Sequence, residues 1–300
     1  MINPVLQFVF RFSLIIFMVG NLSAMGLQLR LADAVLPLKS PRFVFRTILA
    51  SFLLGPVLAW LVTLTVPLER PYAIGLLLLG LAPAAPFLPL VVKNARGDLA
   101  AAAGLMLLVS LGTMVVMPFG VPLVAPGMSA NAWIVARPLL FLILLPLVLG
   151  LMVKYRWPRT ADCVYRYVKV ITAVGTVLFL VLSVVLNFNG FVGSVGSHAL
   201  LAQILFVAGL AVGGYLVAAG MPPKQRSVIS LGVCTRNIGA AAAIVGTDGD
   251  QKIMVMLVIG ALVTVAVSFA AAAWFARSAQ SGLADTPSPE TVVAGAASKN

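Results

Sequence analysis

Acidic residues are scarce in this chain. It carries 8 Asp and Glu against 20 Lys and Arg, with a single His and two Cys. Charged residues make up 9% of it, where a soluble domain carries roughly 25%. That shortage excludes an ordinary soluble globular protein. Cys163 sits in a basic loop and Cys234 inside an apolar run. Two such thiols give neither a disulfide framework nor a cysteine metal cluster. The only histidine, His198, falls in a predicted exterior loop. There is no phosphate loop, no zinc spacing and no nucleophile–base pair. An enzyme is not expected, nor a bound cofactor or metal.

What the chain has in abundance is apolar surface. Hydrophobic residues reach 61% and the mean hydropathy is +1.10. Runs of about 20 apolar residues recur along the whole length, so an all-α, polytopic integral membrane protein is expected. The short alternating segments of a β-barrel are absent. The net charge of +12 does not argue for nucleic acid. In membrane proteins Lys and Arg collect in cytoplasmic loops and set orientation. The partners are a lipid bilayer and a small solute; the oligomeric state is not legible. The N-terminal stretch MINPVLQFVFRFSLIIF lacks a basic region before its apolar run and reads as a retained first span.

Nine spans are predicted, at about 5–29, 43–66, 71–93, 99–123, 132–153, 165–189, 199–219, 226–246 and 251–276. Odd-numbered loops hold the bulk of the basic residues: Arg30, Lys39, Arg42 and Arg46, then Lys93 and Arg96, then Lys154 through Lys169, then Lys224 and Arg226. Even loops offer only Arg70 and Lys252. This alternation places the N-terminus outside and the C-terminus in the cytoplasm of a cell membrane. The tail at 278–300 is small, polar and Pro-containing, and reads as disordered.

Two spans carry breakers. Pro83, Pro86 and Pro89 fall in the middle of the third span, where proline removes a donor and clashes with the preceding turn. Gly232 and Gly239 bracket Thr235, Arg236 and Asn237 in the eighth. Both spans end in Gly-Asp, at Gly97-Asp98 and Gly249-Asp250, and the offset between the two is a constant 152 residues. The predicted topology gives the two spans opposite directions. That is the sign of an inverted repeat whose broken helices cross near the midplane and build a transport site. The chain then divides into a first repeat of four spans (1–125), a second of five (126–277) and the cytoplasmic tail (278–300).

Three segments, MGLQLR (Met25–Arg30), APAAPFLPLVVKNARGDLAAA (Ala82–Ala102) and SLGVCTRNIGAAAA (Ser230–Ala243), resemble those of the bile acid:sodium symporter family. The resemblance implies a panel domain and a core domain, two crossing broken helices, and secondary transport by alternating access. The chain is similar to members that lack the first helix. It departs from the family where the resemblance places sodium ligands. Gly232 stands where the family has an acid and Arg236 where it has a glutamine. Leu88 and Pro89 replace a serine and an asparagine, and Ala102 and Met106 fall at or near hydroxyl positions. Asn237 is retained. Sodium needs oxygen ligands, as other hard cations do, so sodium binding at the usual sites is not expected.

An arginine at the bilayer centre costs ~3 kcal/mol on insertion scales. No carboxylate lies near Arg236 in sequence. Its remaining partners are half-helix carbonyls, Asn237, hydroxyls, water or an anionic substrate. A sodium ion ~4 Å away would be repelled by about 4 kcal/mol at a moderate effective dielectric. Arg236 is therefore expected to act as a built-in cation that holds the crossing and attracts an anion. Arg236, Asn237, Thr235 and Asn21 are the candidate substrate contacts. The function expected is a secondary carrier for a small organic anion. The alternatives are a sodium-dependent bile-acid-type symporter using other ligands, and a receptor or scaffold that kept the fold without transport.

Overall fold

A computed structural model describes residues 4–125, 133, 137, 140–186, 188–194, 196–246 and 250–284. Among the described residues the chain is helical and has no strand. Six helices among the described residues are long and apolar enough to cross a membrane. α1 (Pro4–Gln28) is the first of them. The second is composite. α3 (Pro41–Ile48) runs through a π-helical segment, Leu49–Leu54, into α4 (Gly55–Thr65). Pro56 explains the wide turn, because its ring excludes the regular hydrogen bond and the preceding turn swells to make room. α7 (Leu99–Val124), α9 (Pro158–Leu186), α11 (Ala199–Val217) and α14 (Gln251–Ala284) complete the six.

The two predicted breaks are present. The predicted third span is split into α5 (Arg70–Leu81) and α6 (Leu88–Asn94), the predicted eighth into α12 (Pro223–Cys234) and α13 (Ile238–Val245). The Gly-Asp ends also have a local role. Asp98 caps α7 by accepting from the Ala101 N–H at 3.0 Å, and Asp250 accepts from the Lys252 N–H at 2.7 Å. Gly249 lies outside the described residues. The fifth span is described as a π-helical segment, Leu140–Leu144, followed by α8 (Leu145–Arg156).

Three features depart from the sequence expectation. The first loop contains a short helix, α2 (Leu31–Leu38), which packs on α7. A further short helix, α10 (Phe188–Gly193), precedes α11. The last helix continues to Ala284, so residues 278–284 are helical and not part of a disordered tail. No proline interrupts the segment before Pro287, so its backbone can continue the helix past the polar onset at Ser278. The rest of the predicted tail, 285–300, lies outside the described residues.

The helices pack as two groups. α1 packs chiefly against α8 and α9, while α4, α5, α7, α11, α12 and α14 pack among themselves. Small residues allow the close approach within the first group, as in other membrane bundles. Gly26 and Gly150 face each other at the α1–α8 contact. A Cβ at Gly26 would stand 2.4 Å from the Leu147 carbonyl oxygen, and one at Gly150 would stand 2.8 Å from that of Ser23. Backbone cannot yield as a side chain can. Gly26→Val is predicted to cost about 1–3 kcal/mol by overpacking, read as a lower melting temperature of the purified protein in detergent. An unchanged melting temperature would rule this contact out.

Candidate functional site

The two breaks satisfy each other. Leu81 ends α5, and Pro83 lacks the N–H that would continue it. Ala84 takes a left-handed φ of 58°, a strained choice for a residue with a Cβ. On the other side α12 stops at Cys234 and Thr235 is extended. Pro83 and Arg236 then form an antiparallel bridge, and the Asn237 N–H donates to the Ala82 carbonyl at 2.9 Å. The Asn237 side chain starts α13 by accepting from the Ala240 N–H at 3.1 Å. The Thr235 hydroxyl is buried and donates back to Leu231 and Gly232 carbonyls at 2.9 and 3.2 Å.

Arg236 is fully buried, with 0% of its surface exposed. Its Nη1 donates to the Gly80 carbonyl at 3.4 Å, and its guanidinium lies 5.3 Å from the Phe206 ring centroid. Gly80 lies in the last turn of α5, and Arg236 itself follows the end of α12 by two residues. Both helix ends carry negative partial charge. These contacts are worth about 1–2 kcal/mol each, the same size as the ~3 kcal/mol insertion cost. Gly55 makes the space. A Cβ there would stand 2.7 Å from Arg236 Nη2 and 2.8 Å from the Gly80 oxygen. Nε and Nη2 have no hydrogen-bond partner among the described residues.

A cavity of about 680 Å³ lies on one side of the crossing, within the size range of ligand sites. α1 and α9 form one wall, and α2, α6 and α7 the other. Pro86, in the first break, and Pro89, at the start of α6, line it. Its interior is mostly apolar, with Met25, Leu29, Phe87 and Val177 among the lining residues. Polar groups line α1 and α9. Asn21 Nδ2 donates to the Phe17 carbonyl at 2.7 Å and to Thr176 Oγ1 at 3.3 Å. Thr172 Oγ1 is buried without a partner among the described residues, and a Cβ at Gly20 would collide with it. Arg30, Asp33, Tyr165 and Lys169 supply the remaining charged and phenolic groups.

The structure therefore separates the sequence candidates. Asn21 lines the large cavity. Asn237 and Gly239 reach only a cleft of about 10 Å³ next to Pro86. Thr235 and Arg236 line neither, and Gly232 packs against Leu105. Of the positions where sodium ligands were sought, Leu88, Ala102 and Met106 are buried apolar side chains, and the Arg236 guanidinium is packed against Gly55. Such a set does not fit a hard cation. The cavity residues missed in the sequence share a signal. Tyr165, Lys169, Thr172 and Thr176 recur at helical spacing, a polar stripe along one face of α9.

A double-mutant cycle tests the crossing. Gly55→Ala is predicted to cost about 1–3 kcal/mol because the new methyl meets both the guanidinium and a backbone oxygen. Arg236→Met removes one of the two collisions, so the pair should be less destabilising than the sum. Additive effects on the thermal unfolding midpoint would show that Gly55 does not hold the place of this arginine.

The sequence profile of the Sodium Bile acid symporter family matches residues 12–194, more than half of the chain. The match runs from within α1 through α10 and includes the first break. It stops before the second break, which carries Arg236. A comparison with curated proteins finds no match. By that profile, and with the helical membrane architecture that accompanies it, the chain belongs to the sodium bile acid symporter family.

Proposed function

We propose that this protein is a secondary carrier for an organic anion, working by alternating access between the α1–α8–α9 group and the remaining bundle. The observation that carries this reading is the cavity of about 680 Å³ between the two groups, beside the break at Pro86. An irregular backbone at membrane depth is tolerated only where it is buried or lines a cavity. Here both conditions meet at one place. The two halves are read as inverted repeats, because α7 starts at Leu99 and α14 at Gln251, an offset of 152 residues. With the basic loops in the cytoplasm, the cavity opens inward.

The lining suits an anion with an apolar body. Asn21, Thr172 and Thr176 keep the interior part neutral, with the Asn21 amide donating to Phe17 and Thr176 and the Thr176 hydroxyl to the Thr172 carbonyl. Arg236 is read as an internal brace that holds the crossing where a bound cation would otherwise draw the helices together. Its charge disfavours sodium at that position by simple repulsion.

The test is uptake into proteoliposomes. A panel of organic anions, bile acids included, should show saturable uptake that persists when the sodium gradient is removed. Asn21→Leu should weaken uptake by roughly tenfold, the worth of one hydrogen bond. Strong sodium dependence would sink the built-in-cation reading. No uptake of any anion by well-folded protein would favour a receptor or scaffold.

A further inference from the structure

The charges that line the cavity are unevenly placed. Its cations are Arg30 and Lys169, and its acid is Asp33. Arg30 is the residue before α2, which packs on α7 in the larger helix group. Lys169 lies on α9 in the smaller group, about three turns from its start. The two cations therefore belong to opposite walls. Both are exposed, and neither has an ion-pair partner among the described residues. Asn21, Thr172 and Thr176 on the same cavity wall are all neutral.

We propose that Arg30 and Lys169 form an anion clasp across the mouth of the cavity, one arm on each helix group. This rests on the reading of the cavity as the substrate site. Closing the mouth brings two like charges together, and repulsion resists it. An anionic head between them turns that repulsion into attraction on both sides. The bound anion thus favours closure by its differential contact with the closed state. The head stays at the mouth, and the apolar body extends inward past Met25 and Phe87 towards Asn21. Asp33 follows Arg30 by three residues, one helical turn. It offers Arg30 a counter-charge when the anion has left, so the clasp resets.

This role also separates Lys169 from a topology signal. Charges that set orientation need only stand in the loop. Arg159 and Arg166 are on the same helix and do not line the cavity, whereas Lys169 does.

The test uses full-length protein in non-ionic detergent with two probes, cholate and its uncharged methyl ester. Cholate should bind more tightly than the ester. Arg30→Gln and Lys169→Gln should each weaken cholate by about fivefold, the scale of an exposed ion pair, and leave the ester unchanged. Lys169→Arg should keep cholate binding. Closure is read separately by spin labels at the natural Cys163, which is exposed, and at Lys39→Cys on the other wall. Cys234 is buried and should not label. The distance between labels should shorten with cholate, and should not change in Lys169→Gln. Cholate binding that survives both substitutions, or equal loss of cholate and ester, overturns the clasp and leaves the cavity as the substrate site. Failure of unaltered protein to bind either probe overturns the cavity reading and the clasp with it.

Discussion

Hydrocarbon offers no hydrogen bonds, and that single constraint organises this molecule. A helix interrupted in the bilayer must find partners for its freed backbone groups within the protein. Here one broken span supplies them to the other. The Ala82 carbonyl takes the Asn237 N–H, and Pro83 pairs with Arg236. Two defects that would each be costly alone become one short bridge. The packing around it follows. Gly55 lacks a side chain because the Arg236 guanidinium and the Gly80 oxygen occupy that space. Gly232 admits Leu105 against the same span, and Gly239 admits Met18 and Phe17 of α1.

The bridge also lies beside the large cavity. α13 begins at the crossing, right after Asn237, and the residues that follow Pro83 lead into α6. Pro86 and Pro89 thereby face a cavity, not another helix. The opposite wall is built from α1 and α9, held to α8 and to one another through small residues. In this arrangement the Arg236 guanidinium is fully buried against the Gly80 carbonyl and the Phe206 ring. Arg30 and Lys169, by contrast, line the cavity and are exposed.

Much of this was legible in the sequence. Apolar runs too long and too frequent for a soluble core announced a helical membrane protein. Three prolines in seven positions marked one break, and Gly232 and Gly239 marked the other. The Gly-Asp ends marked the starts of α7 and α14. Other features were hidden for physical reasons. α2 is short, contains Pro37, and stands among charges that read as loop. The π-helical turns depend on how the chain accommodates Pro56 and Pro146, and hydropathy does not register them. The stripe from Tyr165 to Thr176 carries a clear helical period. It could have been found, but in an apolar helix isolated hydroxyls usually bond back to their own carbonyls, as Thr176 does to Thr172.

Sequence alone therefore determined the solvent, the helical class, the two breaks and the presence of a deep cation. These follow from composition and from local backbone chemistry, which act over a few residues. Tertiary structure decided what that cation touches. Arg236 and Gly55 are 181 positions apart, and Asn21 and Thr176 are 155. No local period links such pairs. The meeting of helices put the expected substrate arginine in a sealed crossing and brought Arg30 and Lys169, first counted only as orientation signals, to the lining of one cavity. Charge type can be read along a chain, but burial and partnership are properties of the packed assembly.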